Sequence, residues 1–127
     1  MAAFDYERIA KKAKDNFFSD DEISKENKNA VKGFLLDYHE SPARKHIVLN
    51  HLRVFLKKAK NIKEDMHNET AMNAIYRAIY KEKPGYFETI RNVSKMFCRR
   101  VNDEILPDAV RKALKKIPKV QNKRDLS

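Results

Sequence analysis

Two glycines in 127 residues constrain this chain more than any other feature of its sequence. Glycine supplies the positive-φ positions that tight hairpins and phosphate-cradling loops need. A chain with so few is poorly suited to a hairpin-rich all-β fold or a glycine-rich nucleotide loop. Prolines are equally scarce, at four. What remains is an all-α fold of helices joined by short connections, and the length suits one domain rather than two independent cores.

Composition narrows the class further. Hydrophobic residues make up 42% and charged residues 36%, a balance of a folded chain rather than a disordered one. No apolar run approaches the ~18 residues that span a bilayer, and the N-terminus carries no signal-peptide core. Cys98 is the single cysteine, so an internal disulfide is impossible and a reducing, intracellular and cytoplasmic setting is expected. A transmembrane protein, a secreted disulfide scaffold and a cysteine-based zinc module are excluded.

The formal net charge is +10, which points to a polyanionic partner. Its distribution says more. Residues 41–63 hold seven basic and no acidic side chains, and residues 81–127 hold thirteen basic against six acidic. The stretches 1–40 and 64–80 are each net acidic by two. A merely soluble surface intersperses its signs, so this alternation predicts one face built from two non-adjacent segments.

Apolar period and punctuation predict six helices. The first spans about Ala3–Phe17, with Tyr6, Ile9, Ala10, Ala13 and Phe17 on one stripe. Ser24 caps a second helix running to about His39, with Val31, Phe34, Leu35 and Tyr38 inward. Ser41-Pro42 starts a third, to about Lys60, with Val48, Leu52, Phe55, Leu56 and Ala59 inward. Asn68 or Thr70 starts a fourth, burying Met72, Ile75, Ile79 and Tyr76. After the Pro84-Gly85 turn a fifth runs from Tyr86 to Val101, with Phe87, Ile90, Ser94, Phe97 and Val101 at helical spacing. Pro107 opens a short last helix, Asp108–Ile117, that Pro118 stops, and Lys119–Ser127 has nothing to bury.

The third and fifth helices carry the basic segments. The third presents Arg44, Lys45, Asn50, Arg53 and Lys57 away from its apolar stripe. The fifth offers Tyr86, Thr89, Arg91, Asn92, Lys95 and Arg99, with Arg91, Lys95 and Arg99 recurring every four residues as a ridge. Arg and Lys neutralise phosphates, while Asn and Thr can reach base edges in the major groove. Arg44, Lys45, Arg53, Lys57, Arg91, Lys95 and Arg99 are therefore candidate phosphate contacts, and Asn50, Thr89 and Asn92 candidate base-edge or positioning contacts.

Catalytic patterns do not emerge. The histidines His39, His46, His51 and His67 form no HExxH or HxxR pattern, and His46 and His51 diverge on a helix. Cys98 reads as a small buried hydrophobe, and Asp20-Asp21-Glu22 as a helix-flanking loop rather than a metal site. No metal, cofactor or catalytic residue is expected.

The segments ISKENKNAVKGFLLDYH, SPARKHIVLNHLRVFLKKA, KPGYFETIRNVSKMFCRRV and LPDAVRKALKKI, taken in order, resemble the N-terminal core-binding domain of tyrosine recombinases, the phage-integrase and Xer-type family, its archaeal members above all. The resemblance covers Ser24 to about Ile117. It rests on the Asn27–Leu35 pattern, the Ser41–Arg44 start, Leu49–Phe55, Tyr86–Thr89 and Phe97–Val101. It implies a SAM-like bundle of four core helices, here with an added N-terminal helix and a short C-terminal one. It further implies that Pro42–Lys60 and Tyr86–Val101 lie against the major groove of double-stranded DNA, beside other recombinase protomers. Residues 1–23 are then an N-terminal extension, 24–117 the DNA-binding domain, and 118–127 a linker toward a catalytic domain.

The family's catalytic Arg, Lys, His-x-x-Arg and nucleophilic Tyr are not recognisable in these residues, so the expectation is a non-enzymatic, sequence-directed DNA-binding module of a recombinase. The alternatives are a stand-alone basic helical DNA-binding regulator and a protein-interaction module for an acidic partner.

Overall fold

Four side chains set where helices begin. In the computed structural model, which describes residues 5–117, Asp5, Ser24, Ser41 and Asn68 each accept a hydrogen bond from the backbone N–H three residues on. Each satisfies one of the donors a helix start leaves unbonded, worth about 1 kcal/mol. These caps open α1 (Tyr6–Phe18), α2 (Lys25–Asp37), α3 (Pro42–Lys57) and, after the single-turn α4 (Ile62–Asp65), α5 (Glu69–Glu82). Pro84–Tyr86 forms a 3₁₀ turn that leads directly into α6 (Phe87–Val101), and α7 (Asp108–Lys115) follows Pro107. The described residues contain no strand, so the chain is all-α as its glycine content predicts. Ala3, Pro118 and the tail Lys119–Ser127 lie outside the described residues.

The sequence pattern places the end of α3 near Lys60, but the helix stops at Lys57. Asn27 of α2 is the reason. Its side chain is fully buried, and its Nδ2 donates to the carbonyls of Leu56 at 3.1 Å and Ala59 at 2.8 Å. Its Oδ1 accepts the Ile62 N–H at 2.7 Å. One amide thus satisfies a last-turn carbonyl of α3, the Ala59 carbonyl just beyond it and the first N–H of α4, in place of the helical bonds that would have continued α3. Asp65 completes the turn by accepting from the backbone N–H groups of Lys60 and Asn61. The single-turn α4 is an element the apolar period does not reveal, because four residues are too few to show one.

α3 runs through the middle of the fold, against α1, α5 and α6, while α7 packs on α5. Every inward residue expected of α3 is buried, as are Met72, Ile75, Tyr76 and Ile79 of α5. Aromatic contacts join the layers: Phe55 stacks on Tyr76 at 5.9 Å, Tyr76 meets Phe87 edge-on, and Phe34 of α2 meets Phe97 of α6 at 5.1 Å. Burying each such ring contributes about 2–3 kcal/mol before entropy is counted. The Tyr76 hydroxyl needs a partner in this core and has Ser94 Oγ at 2.6 Å. Because the Ser94 hydroxyl donates to the Arg91 carbonyl, Tyr76 is the donor of that pair. On α1 only Ala13 and Phe17 are buried, and Tyr6, assigned to the inward stripe by spacing, is 45% exposed. It sits at the first turn of α1, next to the helix start.

Candidate nucleic-acid interface

The outer side of α3 is bounded by α1 and the loop after it on one flank and by the start of α6 on the other. On the first flank Asp20 turns inward, its side chain only 6% exposed. Arg53 Nε donates to Asp20 Oδ2 at 2.8 Å, and Lys57 Nζ lies 3.4 Å from the same oxygen and 3.7 Å from Glu22. The Arg53 guanidinium holds the Asp20 carboxyl down at about 2, helped by the Glu22 backbone N–H and by Lys57, against the opposing effect of burial. Two candidate phosphate contacts are therefore already bound to a buried carboxylate. The acid comes from the 1–40 segment, so the charge count along the chain could not show it.

Arg44 and Lys45, at the N-terminal end of α3, make no ion pair with a described residue, and Asn50 is exposed with no side-chain hydrogen bond to one. Asn50, His51 and Val54 line a cleft of about 270 Å³ whose other wall is Lys83, Tyr86 and Ile90. The Tyr86 ring is 60% exposed and lies 6.4 Å from the His51 ring. Burial, and then the charge of Arg44, push the His51 pKa below the ordinary imidazole value, so the ring is neutral at pH 7 with one donor and one acceptor. His51 and Lys83 were absent from the candidates chosen by sequence. Lys83 precedes the 3₁₀ turn, outside any helical stripe.

The ridge of α6 faces elsewhere. Arg91 and Lys95 line a groove of about 520 Å³ between α6 and α7, opposite Arg111 and Lys115, over Phe87, Leu106 and Leu114. Asn92, Lys95 and Arg99 border a second depression beside Leu106. Thr89 is exposed on α6. Thus α3 and α6 are neighbours, and Asn50 meets Tyr86 across their cleft, while Arg91, Lys95 and Arg99 extend the basic surface toward α7.

The acids near this ridge hold it weakly. Arg91 lies 3.3 Å from Glu88, and Arg99 lies 3.7 Å from Glu104, with those carboxylates 55% and 66% exposed. Solvent-exposed pairs of this kind contribute about 0–1 kcal/mol and are readily exchanged for a phosphate. Lys95 has no ion pair with a described residue. On this surface Arg44, Lys45 and Lys95 make no ion pair with a described residue, Arg91 and Arg99 pair with exposed acids, as does Arg111 with Asp108 at 2.8 Å, and Lys83 and Lys115 adjoin them.

The described residues contain no group of three or more His, Cys, Asp or Glu side chains arranged to hold a metal ion. Cys98 is fully buried, and burial pushes its thiol up to about 12, which leaves no thiolate for nucleophilic work near neutral pH. No helix among the described residues is long and apolar enough to cross a membrane. No protein-family model, curated protein or solved structure matches the chain.

Proposed function

We propose that the chain binds double-stranded DNA as the core-binding domain of a tyrosine-type site-specific recombinase. In this proposal α2, α3, α5 and α6 are the four core helices of a SAM-like bundle, with α1 and α7 added at the two ends. The module clamps one side of a recombination site inside the cell, next to other recombinase protomers, and does no catalysis by itself.

One observation carries the proposal. Arg44, Lys45 and Lys95 stand without ion pairs among the described residues on two helices in contact, and the amide of Asn50 and the exposed ring of Tyr86 line the cleft between α3 and the start of α6. Unpaired cations supply the counterion release that drives binding to phosphates, and an amide and a phenol supply the short-range contacts that fix register. The resemblance of Ser24–Ile117 to recombinase domains assigns the same two helices to the groove.

Amide chemical-shift mapping with a 20-base-pair duplex tests it. Shifts should concentrate in residues 43–51 and 83–99. Shifts confined to α2 and α5 would place the ligand on the wrong side of the fold and overturn it.

A further inference from the structure

α3 is apolar on two sides. Its inner line, Val48, Leu52, Phe55 and Leu56, is buried in the core. A second line at helical spacing, Ala43, Ile47, Asn50 and Val54, runs along the opposite side, with Ala43 half-buried and Val54 partly buried against the core. Ile47 is 40% exposed there, and packing with the core does not account for it. Between Ile47 and Val54 stands Asn50, whose amide has no hydrogen bond to a described residue.

A side-chain amide offers a donor and an acceptor side by side. In the major groove adenine presents the complement, the N6 donor beside the N7 acceptor, while guanine presents two acceptors there. The partner of adenine, thymine, also exposes a methyl group, which an apolar side chain contacts well. A bare amide with a branched aliphatic side chain one turn to either side is thus matched to one base pair. The cations suit the same ligand: Arg44 lies one turn before Ile47, and Lys83 borders the cleft at Asn50, so cations for phosphates adjoin the line. An α-helix with its side chains, about 10–12 Å across, fits a major groove about 12 Å wide.

We propose that the outer line of α3 reads an A·T base pair, with Asn50 on adenine and Ile47 or Val54 on the methyl of the same or the adjacent thymine. This inference rests on the duplex-binding proposal and adds its sequence preference. A protein partner for the same line would need acidic groups to meet Arg44 and Lys83, and an acidic peptide is accordingly one arm of the test.

The experiment is selection of preferred sites from a random duplex pool by the intact chain, followed by affinities for the selected site and its single-pair variants. The selected site should hold at least one fixed A·T pair. Asn50→Ala should reduce discrimination at that pair by about 5- to 150-fold while leaving the melting temperature unchanged. Asn50→Asp, which can only accept, should move the preference toward cytosine. Replacing the contacted thymine by uracil should cost about fourfold, the worth of one methyl, and cost nothing further in Ile47→Ser or in Val54→Ala, whichever side chain makes the contact. A selected site without a fixed A·T pair overturns the inference, as does unchanged discrimination in Asn50→Ala. Salt-dependent duplex binding with no base preference defeats this inference and leaves duplex binding standing. Absence of duplex binding, with capture of an acidic peptide instead, defeats both.

Discussion

Arg53 Nε and Asp20 Oδ2 lie 2.8 Å apart although 33 residues separate them in the chain. The contact ties the loop after α1 to the last turns of α3, and Lys57 shares the same carboxylate. It divides the basic residues of α3 into two kinds. Arg53 and Lys57 already neutralise a buried acid, whereas Arg44 and Lys45 have no acidic partner among the described residues.

The Asp20 carboxyl sits at about 2 in the folded chain, against an ordinary value of 3.8, chiefly because of the hydrogen bond from Arg53. A carboxylate with a depressed folded-state pKa stabilises above its unfolded value, and that stability is lost as pH falls through 3.8 toward 2. The shift corresponds to about 2 kcal/mol. Urea denaturation at pH 7, 4 and 2.5 should show Asp20→Asn less stable than the parent by about 2 kcal/mol at pH 7, with the difference shrinking toward zero at the lowest pH. A difference independent of pH would contradict the ion pair.

Asn27 holds three backbone groups at the α3–α4 junction. Asn27→Ala leaves two carbonyls and one N–H buried without partners, a loss of about 3 kcal/mol or more. Asn27→Asp should not restore stability, because a carboxylate cannot donate to the Leu56 and Ala59 carbonyls. Chemical denaturation of both variants checks this, and a loss below that of an ordinary surface substitution would refute the role.

The chain leaves α6 through two left-handed residues, Asp103 at φ 56° and Glu104 at φ 67°. Neither is a glycine, and this region is costly for residues with a Cβ. Asp103→Gly should raise stability by about 0.5 kcal/mol, read as an upward shift in thermal midpoint. A lowered midpoint would show that the aspartate side chain contributes more than its backbone costs.

Cys98 is fully buried in α6 and its thiol is pushed up to about 12 by that burial. A disulfide reagent at pH 8 should react with it at the rate of chain opening, and rapidly once urea unfolds the protein. Equal rates in the folded and unfolded chain would place the thiol at the surface.

Much of the fold is written in local patterns. Ser24 and Ser41 announce the starts of α2 and α3, and the apolar periods of α3 and α5 name their buried faces, because capping and amphipathicity are properties of neighbouring residues. What escapes is made across long separations. The Asp20–Arg53 pair and the Asn27 bridge join residues about thirty apart, so a charge count could not show that Arg53 and Lys57 hold Asp20, and a period assigned Lys58–Lys60 to a helix. The outer apolar line of α3 was hidden for another reason: an inward stripe already explained the helix, and Ile47 stood outside it. Lys83, Arg111 and Lys115 join the basic surface, and the neutral His51 the cleft beside it, only through the packing of α3, α6 and α7.

The salt dependence of duplex binding tests the central claim most directly. Contacts from the five candidate cations Arg44, Lys45, Arg91, Lys95 and Arg99 alone predict that log affinity falls with log salt at a slope of about −4 to −5, and each further contact from Lys83, Arg111 or Lys115 steepens it by about 1. Lys45→Ala combined with Lys95→Ala should flatten that slope by about 2, while Arg53→Ala, whose partner is Asp20, should leave it unchanged. A slope near zero, or a loss at Arg53 equal to that at Lys95, would contradict the claim that these cations on α3 and α6 hold the phosphates.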